Sequence, residues 1–405
     1  MRMHLGAVRL SATDLVGYLN CRHLTQLEYA AARGELSRPK FFDPMLEALW
    51  ERGKQHEHDY VAHLQSLGLA VTLIEGIEVT DAAVAETVAA MQSGVDVIVQ
   101  GALKGGAWAG RADILRRVET SSDLGAWSYE AVDTKLARET KGGTVLQLCL
   151  YSELIAEIQG VMPVFASVLP PWSEFEPERY RLADFAAYYR QVKAGLATTV
   201  GSEQPVQTYP EPTSHCDVCS WSAKCSKQRR DDDHLCLVAG ISSMQIAELK
   251  DHGVTTATTL AELPLPLPWK PERGSKESLA RVREQARIQI ETRAADELRY
   301  EMLAPVAGFG LNCLPEPSEG DIYLDFEGDS FVGEHGLEYL LGFHFFEDGE
   351  TQYRGLWAFD RAAEKTAFET FIDFVLERLE AHPGLHVYHY GGYETGALKR
   401  LMGRY

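Results

Sequence analysis

The 405-residue chain has no apolar run near the roughly 18 residues that a membrane-spanning helix needs. Its first residues, Met-Arg-Met-His-Leu-Gly-Ala-Val, lack the pattern of a signal segment, so the expected location is the cytoplasm. Cysteine is too scarce for a disulfide framework. Seven cysteines in a chain this long fit a reducing compartment, where clustered thiols more often bind metal. Positive charge is also short. With 39 Lys and Arg against 59 Asp and Glu, a formal net charge of −20 argues against a surface coated all over by nucleic acid. Local binding stays open, because Arg111, Arg116 and Arg117 form one basic patch and Lys224, Lys227, Arg229 and Arg230 another. Apolar material is ample at 45%, and the length allows two or three domains.

The pattern along the chain predicts an α/β fold with a mixed sheet. Ser11-Ala-Thr-Asp14 is a capping-box signal for a helix carrying Cys21, and Asp43-Pro44 opens a second helix to Leu67. Apolar runs at 95–103, 108–118, 127–132 and 161–169 read as strands, with a helix through Gln147 and Tyr151 between the last two. A helix at 182–194 leads into a cysteine-rich tail. Residues 241–263 read as two short helices around Gly253, a helix-hairpin-helix-like unit able to offer backbone N–H groups to phosphates. A prolines-and-turns boundary precedes a helix over 275–303. The last domain has a strand at Ile322–Glu327, an antiparallel neighbour at 339–346, a helix at 363–379, a strand at 386–390 and a helix start at Tyr393. It is expected to stop in mid-domain.

Two clusters carry chemistry. Asp113 follows Gly110 on one strand, and Asp133 and Lys135 alternate on the next, so both point to one face. Two carboxylates beside one lysine suit phosphodiester hydrolysis, with magnesium or manganese between Asp113 and Asp133 and Lys135 orienting water or meeting negative charge. Gln147 and Tyr151, four apart on a helix, share a face able to hold Lys135 or the substrate backbone. His56 is a candidate further ligand, and alternation turns Glu130 to the opposite face. The second cluster is Cys216, Cys219 and Cys225 in a C-x2-C-x5-C pattern. Its fourth ligand has three sources: Cys21, Cys236, or a histidine (His215 or His234). Zinc and a [4Fe–4S] cluster both accept such a set. Cys149 and Cys313 read as buried small hydrophobes.

In order, His56, Asp113, Asp133-Thr134-Lys135 and Gln147…Tyr151 resemble the RecB-like nucleases of the PD-(D/E)XK superfamily, over roughly residues 10–235. The resemblance implies a restriction-endonuclease-like core, a metal shell of His56, Asp113, Asp133 and the Thr134 carbonyl, and catalytic roles for Asp113, Asp133, Lys135, Gln147 and Tyr151. One cysteine early and three late resemble the CRISPR-associated iron–sulfur branch, which implies that Cys21, Cys216, Cys219 and Cys225 hold a structural [4Fe–4S] cluster. That reverses the slight preference for zinc that the residues alone give.

Asp325 and Glu327 resemble the first motif of DEDD exonucleases with an RNase H-like fold, with Glu394 where a second acid belongs. Asp325, Glu327 and Glu394 are thus a possible second site in a truncated domain. The whole layout is similar to RecB-like proteins whose longer chain continues into a helicase. The resulting expectation is a nuclease domain at 1–235, a helical segment at 236–310 and part of an RNase H-like domain at 315–405. Its activity would be that of a magnesium- or manganese-dependent DNA exonuclease in repair, acting on single-stranded or ended DNA. The rivals are a catalytically silent DNA-binding or helicase-associated scaffold and a zinc-stabilised interaction module.

Overall fold

The computed structural model describes all residues except 5, 41, 138, 203–206, 331, 333 and 334. The chain divides into two compact units, one built from Met1–Leu169 with Pro177–Leu303, the other from Pro170–Glu176 with Ala304–Tyr405. Both are α/β with mixed sheets.

The first unit opens with a hairpin, β1 (Arg2–His4) and β2 (Ala7–Arg9), and helices α1 (Ala12–Asn20), α2 (Arg22–Ala32) and α3 (Pro44–Ser66). Then come β3 (Val71–Leu73), α4 (Asp81–Ser93), β4 (Val97–Gly105), β5 (Trp108–Val118), β6 (Ser128–Thr134), α5 (Gly142–Gln159), β7 (Phe165–Leu169), β8 (Glu178–Arg181) and α6 (Leu182–Gly201). Four further helices close it: α7 (Ser222–Asp231), α8 (Ser243–Asp251), α9 (Ala257–Ala261) and α10 (Lys276–Ala295). Strands β3 to β8 form one sheet in sequence order, with β3–β4 and β6–β7 parallel and the other pairs antiparallel.

Strand β4 is buried on both faces, which fits a sheet covered from two sides. Helix α5 buries Val145, Leu146, Leu148, Cys149, Leu150, Tyr151, Leu154 and Ile155, more than one stripe, so it is a central helix. Leu235, Leu249, Val254, Leu260, Leu279 and Ala286 form a separate apolar cluster that joins α8, α9 and α10.

The Ser11 capping box forms with Asp14, but the helix does not continue through Cys21. Cys21 ends α1 in extended conformation, and its sulfur accepts from Leu24 N to start α2. Helix α4, capped by Thr80 and closed by Gly94 at φ 75°, and strand β11 below are additions to the expected elements. Helix α10 stops at Ala295, where Asp296 turns left-handed at φ 50°.

The second unit holds β9 (Ile322–Asp329), β10 (Leu337–Glu347), β11 (Glu350–Trp357), α11 (Arg361–Ala381), β12 (Val387–Tyr388) and α12 (Tyr393–Arg404), with sheet order β11-β10-β9-β12. Ile322, Leu324 and Phe326 face inward from β9, and Tyr323, Asp325 and Glu327 face outward. Helix α11 covers the inner face through Ala367, Phe368 and Phe371, the last lying 5.2 Å from the Phe343 ring.

Candidate active site

Strand β6 lies between antiparallel β5 and parallel β7, and this fixes where its end points. Asp133 is 1% exposed, and its two oxygens have different partners. Gln147 Nε2 on α5 donates to Oδ1 at 3.0 Å, and the Lys135 ammonium pairs with Oδ2 at 2.7 Å. Asp113, reaching over from β5, accepts from Thr134 N at 3.0 Å and from its hydroxyl at 3.3 Å. Asp113, Asp133 and Lys135 therefore converge, and Gln147 holds Asp133 where the sequence pointed to Lys135 or the substrate. Tyr151, buried one turn on, lies against Gly110: a Cβ at that glycine would sit 2.7 Å from the ring. Glu130 does turn to the other side, where it accepts from Phe165 N and pairs with Arg179.

Burial raises the Asp133 carboxyl far above its ordinary value, and the charge of Asp113 adds to this against the opposing pull of Lys135. Burial works to lower Lys135, but Asp133 and Asp113 outweigh it and hold the ammonium above its usual range. The centre thus keeps a charged lysine beside Asp133, whose carboxyl is the one that favours retaining a proton.

Helix α3 contributes differently from what its sequence suggested. His56 Nε2 meets the Leu169 carbonyl at 3.1 Å, the same oxygen that accepts from Lys135 N. Its neighbour Glu57 is the group whose environment includes both Asp113 and Lys135, and Gln100 Nε2 on β4 donates to it at 2.7 Å. Burial raises the Glu57 carboxyl, with the Gln100 bond opposing. The signal for Glu57 was present in the spacing: Tyr60 and Leu64 are the buried residues of α3, and Glu57 lies on the same stripe. A cavity of about 1110 Å³ touches Gly110, Arg111 and Tyr151 but not Asp113, Asp133 or Lys135, so it is a neighbour of the site and not its centre.

The metal assignments do not stand. Among the described residues no group of three or more His, Cys, Asp or Glu is placed to hold a metal ion. The expected magnesium or manganese ligands are engaged by the protein itself: Asp113 by Thr134, Asp133 by Lys135 and Gln147, His56 by Leu169. Of the expected cluster or zinc ligands, Cys21 caps α2, and Cys216 accepts from Thr213 N at 3.4 Å. Cys219 and Cys225 lie with Leu27 and Trp221 in an apolar cluster. Burial raises both thiols; the Trp221 backbone opposes this at Cys219 and Arg229 at Cys225, while the neighbouring Cys21 and Cys216 thiols add to it. His234 is buried, accepts from Cys236 N at 3.2 Å and faces Glu211 at 3.4 Å. Cys149 is buried as expected, whereas Cys313 is exposed.

In the second unit Asp325 and Glu327 stand on the outer face of β9, and Glu394 is buried at the start of α12 with His389 at 3.5 Å. Buried Glu338 accepts from the Tyr393 hydroxyl and from Arg400, at 2.8 and 2.7 Å.

Residues 322–405 match the RNase_H_2 family model of the RNase_H superfamily. No curated protein sequence matches the chain. The match gives the C-terminal unit a fold distantly related to the RNase H superfamily. It lies outside residues 10–235, on which the RecB-like resemblance rests. With the metal-ligand groups also missing among the described residues, that resemblance and its iron–sulfur branch are set aside. No helix among the described residues is long and apolar enough to cross a membrane.

Proposed function

We propose that the N-terminal unit hydrolyses phosphodiester bonds in nucleic acid, with single-stranded or ended DNA as its substrate in repair or processing. One observation carries this reading: a lysine ammonium 2.7 Å from a buried carboxylate, with a second carboxylate tied to the same strand through Thr134. Hydrolysis needs a base for the attacking water and positive charge where the phosphoryl oxygens gather negative charge. Asp113, the less buried of the two acids, is the base that takes the water proton. Lys135 meets the charge that develops as the water oxygen bonds to phosphorus. The P–O ester bond then breaks, the leaving oxygen takes a proton from solvent water, and Asp113 returns its proton to solvent. Gln147 keeps Asp133 turned toward Lys135, and Tyr151 walls the site. A helicase that supplies single strands is a fitting partner, and the RNase H-like fold of the other unit is a further pointer to nucleic acid.

The test is incubation of the full chain with end-labelled single-stranded and duplex DNA and RNA. Buffers with and without added divalent cation are used, so that any metal requirement is measured and not assumed. Shortened products that vanish in Asp113→Asn support the reading. Binding without cleavage in every buffer would instead identify a silent scaffold.

A further inference from the structure

Strand β4 breaks its ladder at one residue, opposite Asp113. Val99 pairs with Ile114 and Gly101 with Ala112, but Gln100 between them has φ 56°, the left-handed region that a side chain seldom enters. Such a conformation persists only where its surroundings impose it. Here they do: the Arg111 guanidinium donates to the carbonyls of Gln100 and Ile74 at 2.8 Å, and to those of Glu75 and Glu78 at 2.8 and 3.1 Å. The turned residue delivers its amide to Glu57 Oε1 at 2.7 Å. A regular strand residue at this point would project by plain alternation, and the Glu57 carboxylate would lose this donor.

We propose that Gln100 is a positioning residue of the Asp113–Asp133–Lys135 centre, its Arg111-locked backbone aiming the amide that holds Glu57 beside Lys135. Glu57 is then a third acid around one ammonium, acting on the reaction through the placement of Lys135. The kinetic part of this inference rests on the phosphodiester reading; the chemical part does not.

The experiment uses the full chain with Q100G, Q100E and the swap Q100E/E57Q. Glycine accepts the left-handed backbone at no steric cost, so Q100G removes the amide and keeps the path of the chain. Q100E sets two carboxylates against each other, and the swap restores a donor–acceptor pair in reverse. Three quantities are read: melting temperature, the rate at which an amine-reactive ester acylates Lys135 relative to the other lysines, and kcat and KM on a single-stranded oligonucleotide.

The expected result is that Q100G melts within a few degrees of wild type. Its Lys135 should be acylated several-fold faster, and kcat should fall about tenfold or more with KM within about twofold. Q100E should lose more than Q100G, and the swap should recover about tenfold over Q100E. Wild-type Lys135 reactivity in Q100G, or a kcat loss that only tracks a lowered melting temperature, would overturn the proposal. If wild type cleaves nothing, the proposed function falls and Lys135 acylation alone decides this inference.

Discussion

Asp133 has almost no access to water, and its carboxyl is pushed up to about 8 by burial first and by Asp113 second. A folded value above the unfolded one, near 4 for aspartate, means that the folded state binds the proton more tightly. Its contribution to stability is therefore fully present below about pH 4 and is lost as pH rises through about 8. Replacing Asp133 with Asn removes the charge that burial penalises. We predict that Asp133→Asn melts higher than wild type, with a gap that widens from pH 5 to pH 8. The shift should be on the order of 2–4 °C per kcal/mol gained, and cleavage should be lost. A gap that narrows with rising pH would count against the account. The acids and the lysine were legible from alternation and order along the chain, because a two-residue period fixes the face. Glu57 was legible only through the stripe it shares with Tyr60 and Leu64, and Gln100 was not. A helix face is shared by many residues, and a left-handed residue inside a strand leaves no mark in an apolar pattern.

At the scale of elements, the seam between α5 and β6 sets the position of Asp133. Gln159, fully buried at the end of α5, accepts from Tyr129 N at 2.8 Å and donates to the Val161 carbonyl at 3.0 Å. Gln159→Leu keeps the volume and leaves Tyr129 N without a partner, a loss of about 1–3 kcal/mol. Thermal unfolding should register that loss, and an unchanged melting temperature would show that the seam does not depend on this amide.

In the other unit, buried Glu364 collects Glu338 N, Arg361, Arg404 and the Tyr405 hydroxyl. Burial works against its ionisation, but these donors outweigh it and lower the carboxyl below its ordinary value. A depressed folded value gives stability that is present above the unfolded value and lost as pH falls through the folded one. Glu364→Gln should therefore destabilise the chain at pH 7 by about 1–3 kcal/mol, with a smaller effect at pH 4 in matched melts. Caps and turns made most elements readable, as at Ser11, Asp43-Pro44 and Gly253. Helix α4 carries the same signs in Thr80 and Gly94, but its alanine-rich interior lacks a strong apolar stripe. The Cys21 break was hidden because Leu15, Leu19, Leu24 and Leu27 keep a helical rhythm across it.

At the scale of the molecule, the two units carry separate acidic groups, and the proposed cleavage belongs to the first. Asp325 and Glu327 lie on an outer strand face of the second unit. The double variant Asp325→Asn/Glu327→Gln should cleave single-stranded DNA within about twofold of wild type; a collapse of activity would move the reaction to the RNase H-like unit. The α/β class with mixed sheets and the RNase H-like end could be read from period and motif, but the restriction-endonuclease-like core expected for residues 1–235 is not confirmed. The metal groups could not be read, because order along a chain does not reveal whether three or more ligand side chains meet in the fold, and among the described residues no such group does.

The most direct test is single-turnover cleavage of an end-labelled single-stranded oligonucleotide by wild type and by Lys135→Ala, with melting temperatures measured alongside. Removing one preorganised positive donor should slow cleavage about 100- to 1,000-fold while the chain stays folded. Cleavage by Lys135→Ala at the wild-type rate would contradict the assignment of Asp113, Asp133 and Lys135 as the reaction centre.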